Sequence, residues 1–189
     1  GIRPLTQDFC RQLRALADDY SVPIVVDEIQ SGMGRCGSFV ASADLGLVGE
    51  YYTFAKSLGG GIAKVSAMLV ERGRYQHEFG WIHTSTFAED EFASLVALKA
   101  LEVVEQDGVG ARALERGAKI RERLDELVTE FPDILVEARG TGLMLGLEFR
   151  SLSDSPSAIF RAAPRLGVLS YLIAGYLLNE HQIRVAPTA

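Results

Sequence analysis

The sequence predicts an α/β fold built on a mostly parallel sheet. Three observations carry this. A helical pattern over residues 5–20 runs directly into the apolar stretch Val22-Pro23-Ile24-Val25-Val26. A second apolar stretch, Tyr51-Tyr52-Thr53-Phe54-Ala55, follows a glycine-rich loop and a connection. A carboxylate, Asp27, closes the first stretch and a lone lysine, Lys56, closes the second, 29 residues later. Helix, strand, crossover, strand is the signature of a sheet with parallel members. Functional groups in such sheets gather at the carboxyl ends of the strands, where Asp27 and Lys56 both stand.

Each element has its own signal. Leu5, Phe9, Leu13, Leu16, Ala17 and Tyr20 recur at helical spacing, with Thr6 available as the cap. Residues 22–26 form the first strand and 31–37 a glycine-rich loop. Residues 51–55 form the second strand and 65–70 the third. A long helix is predicted over 89–104, ending at the break Gln106-Asp107-Gly108-Val109-Gly110. Beyond it, Leu114, Ala118, Leu124, Leu127, Val128 and Phe131 mark an amphipathic helix. Strands over 134–136 and 143–149 flank Arg139-Gly140-Thr141-Gly142, whose glycines fit a tight turn. A helix over 157–179, broken at Pro164, and a short strand Ile183-Arg184-Val185 complete the chain. The domain boundary is predicted near Asp107, giving 1–106 and 107–189.

Composition narrows the class. The 189 residues are 48% hydrophobic and 23% charged, which suits one large or two small packed domains and not a disordered chain. A net charge of −6 excludes a general nucleic-acid surface. The basic residues between 112 and 123 alternate with Glu115 and Glu122, as on a solvated helix face. Cys10 and Cys36 have no metal-like spacing and fit a reducing, cytoplasmic compartment. The most apolar stretch, 167–178, is too short to span a bilayer, which needs about 20 residues. His77, His83 and His181 form no ligand set, and no metal is expected.

Two motifs mislead. Gly32-Met33-Gly34-Arg35-Cys36-Gly37 fits G-x-G-x-x-G, but a dinucleotide site needs those glycines to leave a strand directly and open a helix. Here Asp27-Glu28-Ile29-Gln30-Ser31 intervenes. Lys56-Ser57 ends like a phosphate loop, but position 55 is Ala and position 50 is Glu, so both required glycines are missing.

Lys56 carries the most chemistry. It ends an apolar run and precedes Ser57-Leu58-Gly59-Gly60-Gly61. A lysine desolvated by apolar neighbours becomes a usable nucleophile. An acid facing a lysine Schiff base is what pyridoxal phosphate (PLP) chemistry requires.

The words Asp27-Glu28-Ile29-Gln30-Ser31-Gly32, Gly34-Arg35, Ala55-Lys56-Ser57-Leu58-Gly59-Gly60-Gly61 and Ser85-Thr86-Phe87 occur in order. With them the chain resembles the class III aminotransferases, the family of the ornithine, acetylornithine and 4-aminobutyrate enzymes. Arg139-Gly140-Thr141-Gly142-Leu143-Met144-Leu145-Gly146 resembles the family's small-domain signature. The resemblance implies part of a fold type I large domain plus much of the small C-terminal α+β domain. It implies that Lys56 forms the internal aldimine with PLP and shuttles the substrate proton. Asp27 would pair with the pyridine nitrogen, Gln30 would bond the phenolic oxygen and Thr86 would bind the phosphate across a homodimer interface. Arg184 resembles the arginine that clamps a substrate carboxylate, a task suited to a guanidinium.

The family's usual small residues and proline after the threonine word are replaced by Ala88-Glu89-Asp90-Glu91-Phe92, and Thr188 stands after Pro187. The upstream phosphate loop and ring-stacking aromatic are not in this sequence, so the chain reads as the C-terminal part of a larger protein. The expected activity is PLP-dependent transamination from an amino-acid donor to an aldehyde or ketone. The alternatives are an aminomutase or racemase on the same scaffold, or a non-catalytic α/β dimerisation module.

Overall fold

The computed structural model describes residues 1–83, 86, 88–151, 157, 161 and 168–187. Helix α1 spans Gln7–Asp19. Thr6 caps it as the sequence predicts, its Oγ1 accepting from the Phe9 N–H at 3.1 Å. The apolar face of α1 buries Cys10, which packs with Val26 and Leu47, flanked by Leu13 and Ile24. The helix therefore covers the first strand.

That strand, β1, spans Val25–Asp27, shorter than the expected 22–26 and with Asp27 as its last residue; it pairs with β2 (Tyr51–Phe54), and β2 pairs with β3 (Ala67–Val70). The β1–β2 pair is parallel, as expected. The β2–β3 pair is antiparallel, with Thr53 opposite Met68, so the described sheet is mixed. The connections explain the difference. A parallel return needs a crossover, usually a helix, whereas β2 and β3 are joined by a loop holding only the 3-10 turn Lys56–Gly59.

A short helix α2 (His77–Ile82), which the sequence pattern did not announce, precedes α3 (Glu91–Gln106). Asp90 caps α3 by accepting from the Ala93 N–H at 2.6 Å. Ala97 of α3 is buried with Met33, Phe54 and Leu58, so α3 packs on the end of β2 and on the turn beyond it. Helix α4 (Val109–Glu130) starts directly after Gly108, earlier than its hydrophobic pattern suggested. Strands β4 (Leu135–Thr141) and β5 (Met144–Phe149) form a second, two-stranded sheet. Arg139 and Gly140 belong to β4, so the tight turn is shifted to Gly142 and Leu143.

Helix α5 spans Leu169–His181. The expected break at Pro164 lies outside the described residues. The expected strand at Ile183-Arg184-Val185 is not formed. Gln182 ends α5 with φ +56, and a strand needs a neighbour to satisfy its backbone groups, which no described strand supplies here.

The chain divides into two compact units. The larger holds Pro4–Ile120 and Gly140–Leu145; the smaller holds Gly1–Arg3, Arg121–Arg139 and Gly146–Ala189. The break at Asp107 lies inside the larger unit. In the smaller unit, Leu135 and Ala138 are buried. Arg139 there bonds the Ile2 carbonyl, Glu137 and Glu148. The Arg139 guanidinium holds the Glu148 carboxyl below the usual carboxylate range.

Candidate active site

The parallel register sets the site. Asp27 stands opposite Thr53, and the Glu28 N–H continues the ladder to the Thr53 carbonyl at 3.0 Å. Lys56 follows three residues beyond Thr53. Asp27 and Lys56 thus leave the sheet at the same carboxyl edge, as the sequence predicts.

At the end of β1, burial alternates: Val26 in, Asp27 out, Glu28 in. Asp27 is exposed, and its Oδ1 accepts from the Ile29 N–H at 2.9 Å, an arrangement that fixes the carboxyl at the strand end. Glu28 is 2% exposed. Its two oxygens accept from Ser31 Oγ at 2.6 Å and from the Ser42 N–H at 2.8 Å. Glu28 therefore closes the glycine-rich loop from inside. Sequence reasoning assigned it no role, although the period-two alternation of a strand would have placed it inward.

Lys56 opens the 3-10 turn Lys56–Gly59 with φ +49, a left-handed conformation that side-chain-bearing residues rarely adopt. Leu58, two residues on, is buried against Phe54 and Ala97 and anchors the turn. Lys56 itself is exposed and lines a pocket of about 440 Å³ with Ala63, Lys64, Val65 and Ser66. Among the described residues no hydrogen bond or ion pair engages its Nζ. The desolvation expected from its apolar neighbours is not supplied by them, because Phe54 and Leu58 turn inward while Lys56 turns out. Within the same turn, Ser57 Oγ accepts from Arg35 Nη2 at 2.9 Å.

Gln30 is exposed in the loop that follows Asp27, and Thr86 is exposed in the segment before α3. Ser85 and Phe87 lie outside the described residues. Arg184 is exposed in the smaller unit, beyond α5. Only Asp27, Gln30 and Lys56 are tied to one sheet edge by strand and loop connectivity. Among the described residues no cluster of His, Cys, Asp and Glu could hold a metal ion, and no helix is long and apolar enough to cross a membrane.

The sheet edge thus presents an acid at the end of one strand and, just beyond the end of its parallel neighbour, an amine that no described residue engages. The chain belongs to the class-III aminotransferase family, whose sequence profile matches residues 1–188. It is 40% identical to an acetylornithine aminotransferase of Prochlorococcus marinus over 147 residues, 78% of this chain and 35% of that protein. It is 29% identical to a putrescine aminotransferase of Pectobacterium atrosepticum over 189 residues, 99% of this chain and 40% of that protein. The chain thus spans 35–40% of the length of these curated relatives.

Among solved structures it resembles the acetylornithine aminotransferase of Elizabethkingia anophelis. That match has a TM-score of 0.79 and 25% identity, over 100% of this chain and 43% of that one. An amine transaminase from an uncultivated Pseudomonas species, in its PLP-bound form, gives a TM-score of 0.79 at 25% identity, over 96% of this chain and 41% of that one. The fold is therefore that of part of a fold type I aminotransferase.

Proposed function

We propose that the full-length protein is a PLP-dependent aminotransferase that moves an amino group from an amino-acid donor to an aldehyde or ketone. The observation that carries this reading is Lys56, which lines a pocket and whose Nζ no described residue engages, at the same sheet edge as Asp27. The residues fit the cofactor: an amine for its aldehyde, an acid for its ring nitrogen. Bound there, PLP supplies the electron sink for carbanion chemistry at the substrate carbon.

The chain's own groups do the rest. Lys56 Nζ would hold the cofactor and would take and return the proton of the substrate carbon. Asp27 keeps the ring nitrogen protonated, its Oδ1 steadied by the Ile29 N–H. Gln30 orients the ring through its phenolic oxygen. Thr86 binds the phosphate of the partner subunit's cofactor in a homodimer. Arg184 takes the substrate carboxylate. In this reading residues 1–106 complete the cofactor-binding domain and 107–189 belong to the small domain.

The names of the relatives, acetylornithine and putrescine, denote aliphatic primary amines and support a donor of that class. The buried free thiols of Cys10 and Cys36 support a cytoplasmic location. Borohydride reduction of the PLP-loaded full-length protein, followed by peptide mapping, tests the reading. The expected label is on Lys56, and a label on another lysine overturns it.

A further inference from the structure

We propose that Arg35 is a positioning residue for Lys56, tying the lysine turn to the turn between β4 and β5. The proposal rests on the assignment of Lys56 made above and adds a residue to which nothing yet assigns a role.

The backbone of Arg35 is held from outside its own loop. Its carbonyl accepts from the Leu143 N–H at 2.9 Å. Gly142, with φ +55, lies so close that a Cβ there would strike the Arg35 carbonyl oxygen and sit 2.9 Å from Cys36 Cα. Gly117 of α4 lies against the same turn, close to the Gly142 carbonyl. A helix and a hairpin turn thus fix where Arg35 begins.

The side chain of Arg35 then reaches away from that anchor to Ser57 Oγ at 2.9 Å. Ser57 is covalently next to Lys56, inside the turn that Lys56 opens with φ +49. A left-handed lysine persists only where surrounding contacts over-determine it. Leu58 supplies one restraint by burial, and the Arg35–Ser57 hydrogen bond supplies a second, polar one. Arg35 touches neither pocket nor reacting atoms, so it acts through Lys56.

The test uses the full-length apo-protein and added PLP, following the rise of the visible band of lysine-bound cofactor and the pH midpoint of that band. Ser57→Ala and Arg35→Met should each slow the rise about tenfold and shift the midpoint, with Tm nearly unchanged in Ser57→Ala. The double variant should be no slower than either single one, since both remove one interaction. Arg35→Lys, which keeps a donor, should recover part of the rate. If Arg35→Met fails to fold, Ser57→Ala against Arg35→Lys carries the comparison. Wild-type kinetics and midpoint in Ser57→Ala, or additive losses in the double variant, overturn the proposal while leaving Lys56 as the cofactor lysine. Absence of any band in the wild-type protein overturns the assignment on which it rests.

Discussion

Asp27 and Glu28 are adjacent carboxylates in opposite surroundings, one exposed at the strand end and one 2% exposed beneath the loop. Their substitutions should separate accordingly. Asp27→Asn should keep fold and cofactor but lower kcat by about 10²-fold, because a neutral amide does not hold the ring proton as a carboxylate does. Steady-state kinetics beside a thermal melt checks this, and a kinetically silent variant would show that the acid has another task. Glu28→Ala leaves the buried Ser42 N–H and the Ser31 hydroxyl without their acceptor. It should cost about 1–3 kcal/mol in urea unfolding. Lys56→Ala should retain the fold and lose nearly all transamination, and normal turnover would remove the central assignment.

At the scale of elements, the glycine loop and the turn between β4 and β5 are held by close backbone approaches. Gly117 sits in α4 where a Cβ would strike the Gly142 carbonyl. Gly117→Ala should therefore destabilise by about 1–3 kcal/mol, although alanine is the better helix former. Gly175, in α5, has no atom within 4 Å of its ideal Cβ and no positive φ. Gly175→Ala should be stabilising by about 0.5–1 kcal/mol. Denaturant midpoints of the pair isolate crowding from propensity, and equal responses would mean that the α4 contact yields readily.

At the scale of the whole molecule, both compact units carry carboxylates held below their ordinary range. Glu50 accepts from the Ile24 N–H at 2.7 Å, the main cause of its lowered pKa, and from Arg14 at 2.9 Å. Glu148 is lowered mainly by its bond to Arg139. A carboxyl whose folded pKa is depressed contributes stability above its unfolded value, near 4.3, and loses it as pH falls through the folded pKa. Tm should be steady near neutrality and fall below about pH 4. Glu50→Gln should lower Tm at pH 7 and flatten the acid limb; an unchanged profile would remove Glu50 from the account.

Exposed apolar surface is available to the proposed homodimer. Phe92, Leu95 and Leu98 of α3 are 65%, 66% and 58% exposed, at spacings that share a face. Native mass spectrometry of the full-length protein should give a dimer, and Leu95→Glu should shift it towards monomer.

By itself the sequence determined the α1–β1 unit, its Thr6 cap, the parallel pairing of β1 with β2, and the placing of Asp27 at the end of β1 and of Lys56 just beyond β2. These rest on local periodicity and on the short list of connections a parallel sheet allows. Only the tertiary structure decided that β3 runs antiparallel, that Glu28 is held by Ser31 and Ser42, and that Arg35 reaches Ser57. It also left Ile183-Arg184-Val185 unpaired. Each of these depends on contacts between segments distant in the chain, where burial and hydrogen-bond partners are set by what arrives alongside and not by the residues' own pattern.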